Sequence, residues 1–408
     1  AGKTRTLTHR IAHLIKERNI SPENILAVTF TNKAAREMQD RLRFLMDDSQ
    51  EMPIVATFHA FCLQVLKDEG NDEYAVIDED ERRAFVSDAI RHVEQKGKAV
   101  HLKPGFLSDM IVAAKQRILE PADDPEGMAD LLDSDALPLF SAVHEAYQNL
   151  LVRESRFDYE DLILKAVKRF ESDRKIRATY QKRLQHILVD EYQDLNLGQY
   201  RIVRALAPPG SELCVIGDPD QSIYGFRGSD IRYFQQFESD YPKSEVIRLT
   251  QNYRSTETIL EASHQVIRDH SIHPSGARVY SNIRGITQLS LLEVATEKAE
   301  AVAVGKTIEN LIGGMGFHSI DFDKTDDSGG AADRSFSDFA VLYRTHAQSR
   351  VIADVFARAG IPYQIANREN AYTRKGIAEL LSFFKITEES GILNDFHRIA
   401  NLSGTGVS

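Results

Sequence analysis

The chain has 408 residues, length enough for two to four domains, and its 42% apolar and 27% charged content is that of an ordinary globular protein. A net charge of −11 excludes a surface coated with basic residues but not a single positive groove. No apolar run approaches the roughly 18 residues that cross a bilayer, so no membrane association is expected. The start of the sequence lacks a signal-peptide pattern. Cys62 and Cys214, too far apart for a zinc knuckle, read as buried free thiols in a reducing, cytoplasmic setting.

In chain order, Gly2-Lys3-Thr4 is the tail of G-x-x-x-x-G-K-[ST], the loop that wraps nucleotide phosphates. The front of that loop and its leading strand are not in the sequence. Their omission, with Gly2 ending an unrecorded loop, is the expectation here. Leu7, Ile11, Leu14 and Ile15 then mark one face of a helix. ILAVTF (25–30) and IVATF (54–58) read as buried strands, each followed by a helical pattern. From about 71 to 170 the strand signals stop, and four helical stretches are broken near Pro104 and Pro121, which predicts an all-helical insertion. Strands resume at 186–191, 212–218 and 245–250, with helices between. Apolar strands alternating with helices imply a parallel sheet covered on both faces. A further α/β stretch has strands expected near 289–294, 339–344 and 363–366, and helices over 297–312 and 348–360. Residues 313–338, rich in Gly, Ser and Asp, read as a surface loop.

Four constellations carry chemistry. ILVDEYQD (187–194) ends a buried strand with adjacent acids, at the edge where open α/β sheets bind ligands. Phosphoryl transfer needs one carboxylate for Mg²⁺ and one group to orient or deprotonate water, a division that suits Asp190 and Glu191. VIGDPDQSIYGFRGSD (215–230) follows the next strand. Asp218, Asp220 and Gln221 are placed to reach a terminal phosphate, and Tyr224, Phe226 and Arg227 form a platform on which bases can stack. LTQNYRST (249–256) offers Arg254 to neutralise phosphoryl charge and Tyr253 to stack on adenine, or else a loop capped by Ser255 or Thr256. In TFTNKAAREM (29–38) and ATFHAF (56–61), Thr31, Asn32, Lys33 and His59 fall at helix N-termini, where backbone N–H groups can hold nucleic-acid phosphates. Phe30 and Phe58 either stack on bases or belong to the core.

The order GKT, TFTNKAAREM, TFHAF, DEYQD, GDPDQSIYGFRG, QNYRS and VLYRTHAQSR resembles the UvrD/Rep/PcrA family of superfamily 1 DNA helicases over most of the chain. The resemblance implies an α/β fold: a RecA-like parallel sheet with a helical insertion, followed by part of a second RecA-like domain. Residues 1–70 and 171–248 would form the first domain, 71–170 the insertion, 249–385 the first part of the second domain, and 386–408 the start of a second insertion. It implies ATP and Mg²⁺ as cofactors, and single-stranded DNA and single/double-strand junctions as partners. Movement would be 3′ to 5′, in DNA repair or replication. By resemblance, Gly2 and Lys3 hold phosphate, Thr4 and Asp190 partner Mg²⁺, Glu191 is the catalytic base, Gln221 senses phosphate, Arg254 contacts the γ-phosphate and Tyr253 stacks on adenine. Phe30, Thr31, Asn32, His59, Tyr224, Phe226, Arg227 and Arg344 fall on the DNA side.

Several features depart from the family pattern. Phe226 stands where a tryptophan is commoner and Tyr192 where a phenylalanine is. The glutamine-containing element that reads adenine is not in the sequence. Neither are the closing motifs of the second domain, so truncation or omission after NLSGTGVS (401–408) is expected. Rival readings are a P-loop phosphotransferase without a DNA partner, a helicase–nuclease subunit, and a non-catalytic single-strand-binding fragment.

Overall fold

The computed structural model describes residues 2–46, 51–68, 70, 74–119, 121, 124–272, 279–283, 285, 289–312, 334–366, 376–388, 395–396 and 399. Most of the Gly-rich stretch 313–338, and most of the segment expected to open a second insertion, lie outside the described residues.

The first elements are α1 (Lys3–Lys16), β1 (Ile25–Thr29), α2 (Asn32–Leu45), β2 (Ile54–Thr57) and α3 (Phe58–Asp68). The chain continues through β3 (Ala75–Val76), α4 (Glu79–Gln95), α5 (Pro104–Gln116), α6 (Pro125–Met128), α7 (Leu137–Arg153), β4 (Arg156–Phe157), α8 (Tyr159–Ser172) and α9 (Arg174–Arg183). It then forms β5 (His186–Val189), α10 (Leu197–Leu206), β6 (Glu212–Val215) and the short turns α11 (Arg232–Gln235) and α12 (Phe237–Asp240).

Strands β2, β1, β5 and β6 lie in that order in a parallel sheet, with Leu26 level with Ile54 and Ile187, and Ile187 level with Leu213. Alternation along the strands divides two cores. Leu26, Val28, Ile187 and Val189 pack with Phe61, Val65, Leu162, Ile202 and Val203 from the helices on one face. Ile25, Ala27 and Leu188 meet Leu7, Ile11, Met38 and Leu42 from α1 and α2 on the other. This is the doubly covered sheet that the apolar runs predicted. From β1 the chain moves outward to β2, but from β5 it moves the opposite way to β6. The order therefore reverses between β1 and β5, whose C-terminal ends flank the crevice where open sheets bind ligands.

The insertion is helical apart from one detail. Ala75–Val76 and Arg156–Phe157 form a two-residue parallel ladder, too short to leave a periodic signal, with the Tyr74 ring stacked on buried Phe157 at 4.1 Å. Pro104 opens α5, where its missing N–H costs nothing, so it starts a helix as well as ending the preceding stretch. Helix α8 is shared: it packs on α5 of the insertion and on α3 and α10 of the sheet layer.

Several expected strands are not formed. Residues 245–250 have no ladder partner among the described residues, with Val246 and Ile247 exposed. β7 (Gln251–Asn252) instead pairs just downstream with β8 (Tyr280–Ser281), across α13 (Glu257–Ile267). Residues 289–294, 339–344 and 363–366 also lack ladders among the described residues, leaving Leu291 and Leu342 almost fully exposed. Apolar composition signals a preference for extended backbone, whereas a strand also needs a neighbour to accept its hydrogen bonds.

The chain divides into two compact units, residues 1–288 and 289–408. In the second, α14 (Glu297–Ile312) packs on α15 (His346–Ala359) around Ala301, Ile308, Val355, Phe356 and Ile361. Helix α16 (Ile377–Thr387) follows.

Candidate functional site

Three segments converge at the reversal point. Gly2, at φ 95°, sits in the left-handed region that costs a side-chain-bearing residue roughly 1–2 kcal/mol, and it caps α1. Lys3 and Thr4 are thereby the first residues of a 14-residue helix, whose opening N–H groups have no partner within the helix and favour anions. Asp190 and Glu191 follow β5, and Asp190 donates its N–H to the Val28 carbonyl of β1 at 2.9 Å.

Glu191 is also left-handed, at φ 50°. The fold thus holds a non-glycine residue in a strained conformation directly after the strand, the kind of strain that collects at functional sites. Its N–H is satisfied by Asp190 Oδ1 at 3.0 Å. The two neighbouring carboxylates consequently reach different partners. Asp190 Oδ2 accepts from Thr4 Oγ1 at 3.4 Å, and Glu191 Oε2 accepts from the Lys3 ammonium. Lys3 also reaches Gln221 Oε1 at 3.3 Å. Burial, followed by the charge of Glu191, pushes the Asp190 carboxyl up to about 6.

Gln193 and Asp194, to which the motif alone assigns no role, lie at the centre of this cluster. Gln193 is 1% exposed and donates from Nε2 to Glu191 Oε2 at 2.9 Å and to Asp194 Oδ2 at 3.0 Å. Its Oε1 accepts the Asp218 N–H at 3.0 Å. Burial and then Glu191 push Asp194 up to about 6 as well. The available signal was polar residues following a buried strand without a break: Tyr192, Gln193 and Asp194 are all buried, unlike a tail that runs into solvent.

Asp218 organises the next loop, its carboxylate accepting from Asp220 N–H at 3.2 Å and Gln221 Nε2 at 2.6 Å. Six residues after Asp220, Phe226 is 75% exposed. Tyr224 stacks on Phe30 at 4.9 Å between ring centroids, and the Arg227 guanidinium lies 5.5 Å from the Tyr224 ring and 5.6 Å from the Phe226 ring. Phe30 is therefore part of an open aromatic surface, whereas Phe58 is a core residue.

Thr31 caps α2 through its hydroxyl, which accepts Ala34 N–H at 3.1 Å, and Asn32 is exposed at the helix start. His59 lies edge-on to Tyr159 at 5.6 Å, and burial lowers its pKa, which favours neutral imidazole. Tyr159, half-exposed, was not singled out in sequence because one tyrosine at a helix start carries no pattern.

The remaining candidates are not joined to this cluster by any described hydrogen bond or ion pair. Tyr253 is exposed and donates to Gln251 Oε1 at 2.6 Å. Asn252 Oδ1 accepts the Arg254 and Ser255 N–H groups, and the Arg254 side chain is exposed. Thr256 is the cap residue of α13, though without a side-chain capping bond. Arg344 belongs to the second unit, where its N–H donates to Gln348 Oε1 at 3.0 Å ahead of α15. Cys62 and Cys214 are both free thiols, the first buried and the second half-buried. No described helix is long and apolar enough to cross a membrane.

The family model for the UvrD/REP helicase N-terminal domain matches residues 1–242, and that for the UvrD-like helicase C-terminal domain matches residues 247–407. The ATP-dependent DNA helicase PcrA of Staphylococcus aureus (strain Mu50) is 36% identical over 412 residues, and that of Staphylococcus epidermidis (strain RP62A) is 35% identical over 413. Each comparison covers all of this chain, which spans 53% of the relative, about half its length.

Proposed function

The chain belongs to the UvrD/REP helicase family, and on that premise we propose that it is the part of an ATP-dependent DNA helicase that binds nucleotide and single-stranded DNA. Movement is 3′ to 5′, coupled to Mg-ATP hydrolysis, from single/double-strand junctions and in DNA repair or replication in the cytoplasm. Residues 1–70 and 171–248 serve as the first RecA-like domain, 71–170 as its insertion, 249–385 as part of the second, and 386–408 as the start of another insertion. The observation that carries this reading is a juxtaposition. The charged cluster at the sheet reversal and the exposed aromatic surface share the loop after β6, which brings Asp218 and Gln221 to the cluster and Tyr224, Phe226 and Arg227 to the surface.

In this reading Gly2 and Lys3 hold phosphate at the start of α1, and Glu191 orients and deprotonates the attacking water. Gln221 contacts the terminal phosphate beside Lys3. Lys3, which faces Glu191, exchanges that carboxylate for phosphate oxygens when nucleotide enters. Tyr253 stacks on adenine and Arg254 meets the γ-phosphate. A divalent cation suits Thr4 and Asp190: one hydroxyl and one buried, undercompensated carboxylate leave most of an octahedron to water and phosphate, as Mg²⁺ prefers. When bound, Mg²⁺ neutralises charge on the phosphate oxygens. Phe30, Tyr224, Phe226 and Arg227 offer faces to successive bases, with Thr31, Asn32 and His59 beside them, and Arg344 of the second unit also serves DNA.

The test is ATP turnover with and without a single-stranded oligonucleotide. Glu191→Gln is expected to lower stimulated turnover by about 10²–10⁴-fold while nucleotide still binds. Phe226→Ala is expected to weaken strand binding by about 1–3 kcal/mol. DNA-stimulated turnover undiminished in Glu191→Gln would remove the assigned base.

A further inference from the structure

Gln193 makes no contact with the aromatic surface, yet its side chain and main chain together bridge the two halves of the site. Its carboxamide donates to Glu191 and Asp194 and accepts from the Asp218 backbone, while its own carbonyl accepts the Ser222 hydroxyl at 3.3 Å. Asp218 holds Gln221, and Ser222 lies two residues before Tyr224. Orientation of the amide is fixed by its surroundings. Turned over, Oε1 would face two carboxylate oxygens and the NH₂ group would face an N–H.

The fit is also close. A β-carbon on Gly217 would stand 2.7 Å from Gln193 Oε1 and 2.8 Å from the Phe234 ring, so only glycine lets the strand end approach the carboxamide. At 1% exposure the carboxamide is shielded from bulk water. A shift of the 218–222 loop therefore has to move Gln193 or break its bonds. Movement of Gln193 in turn moves the donor that holds Glu191 Oε2.

We propose that Gln193 is a positioning residue that transmits occupancy of the aromatic surface by single-stranded DNA to the Glu191 carboxylate. Strand binding at Tyr224 and Phe226 shifts the 218–222 loop, and Gln193 passes the shift on by re-aiming the Glu191 carboxylate that nucleotide has freed from Lys3. Glutamine is specifically required. Glutamate at 193 would set a third carboxylate against Glu191 and Asp194, and methionine would keep the volume but lose the three side-chain links, leaving only the main-chain bond from Ser222. This rests on the reading of Glu191 as the group that activates water.

The experiment compares Gln193→Met, Ser222→Ala and the unaltered protein. Basal turnover, DNA-stimulated turnover, KM for ATP and oligonucleotide Kd are measured on each. Gln193→Met is expected to cut the stimulation factor, stimulated over basal turnover, by about tenfold, with oligonucleotide Kd and KM changed less than about threefold. Ser222→Ala removes one of the two loop-side links and keeps the Asp218 N–H bond, and it is expected to cut stimulation by about two- to fivefold with basal turnover unchanged. It also keeps the proposal testable should Gln193→Met fail to fold.

Equal losses of basal and stimulated turnover in Gln193→Met would show a merely structural role. An unchanged stimulation factor in either variant would likewise overturn the proposal. If the unaltered protein shows no stimulation by DNA, the functional reading itself fails, an outcome distinct from an intact stimulation that ignores Gln193.

Discussion

Lys115 in the helical insertion and Lys3 at the sheet each face acidic groups, but in opposite surroundings. Around Lys115 the cluster is closed: its ammonium lies 2.5 Å from Asp158 and 3.0 Å from Asp161, and all three side chains are at most 2% exposed. Tyr147 adds a hydroxyl bond to Asp158 at 2.7 Å, and Asp158 and Asp161 cap α8 reciprocally. Burial disfavours the charged ammonium, but the two carboxylates outweigh it and hold the Lys115 pKa above its ordinary value. Around Lys3 the side chains are 17% and 34% exposed, the Thr4–Asp190 bond is long, and Asp190 is pushed up where Asp158 is held down. The closed cluster keeps Lys115 and Asp158 charged within the fold, although burial raises Asp161, and ties α5, α7 and α8 together. The open one leaves a carboxylate undercompensated, a condition that favours an arriving cation.

The comparison breaks most visibly at its cations. Lys115→Met would leave two desolvated carboxylates without their shared counter-charge, and urea unfolding at pH 7 is expected to show a loss of about 3–5 kcal/mol. Lys3→Met is expected to stay within about 1 kcal/mol of the parent, because its pair is partly solvated, while losing nucleotide affinity. Comparable destabilisation by both changes would erase the distinction.

The same logic predicts a smaller effect within the closed cluster. Tyr147→Phe keeps the packed ring but takes one donor from Asp158, and is expected to cost about 1–3 kcal/mol. A neutral result would mean that Lys115 alone satisfies the Asp158 oxygen that the two share.

Much of this was readable in order along the chain. The strands at 25, 54, 186 and 212 and the helices behind them carry their own periodicity, and Lys3, Asp190, Glu191 and Gln221 meet because each follows a strand end or opens a helix. Pairing was less legible. Residues 245–250 have strand composition, but nothing local names a partner, and the two-residue β3–β4 ladder depends on Phe157 finding Tyr74 across most of the insertion. Long-range charge matching was silent for the same reason: Lys115 and Asp158 are 43 residues apart and individually resemble surface residues. Gln193 carries no local signal of its role, because what an amide does depends on which groups surround it in three dimensions.

The smallest effect has the opposite sign and sharpens the comparison most. With its carboxyl held at about 6, against an ordinary value of about 4, Asp190 keeps its proton in the folded state to a higher pH than in the unfolded chain. Between those values the folded state binds more protons, so stability falls as pH rises through that window, and the penalty is fully present above it. Asp194 contributes in the same direction. Asp190→Asn has nearly the same shape, and its amide can still donate to Thr4 and accept from Glu191 N–H. In EDTA at pH 7 it is expected to raise Tm by about 2–4 °C, corresponding to about 1 kcal/mol, with the gain vanishing near pH 4. The same variant should lose the rise in Tm that Mg²⁺ and nucleotide give the parent, because that rise requires the carboxylate. A closed, purely structural carboxylate would behave the other way, and Asp158→Asn, measured beside it, is expected to lower Tm at pH 7.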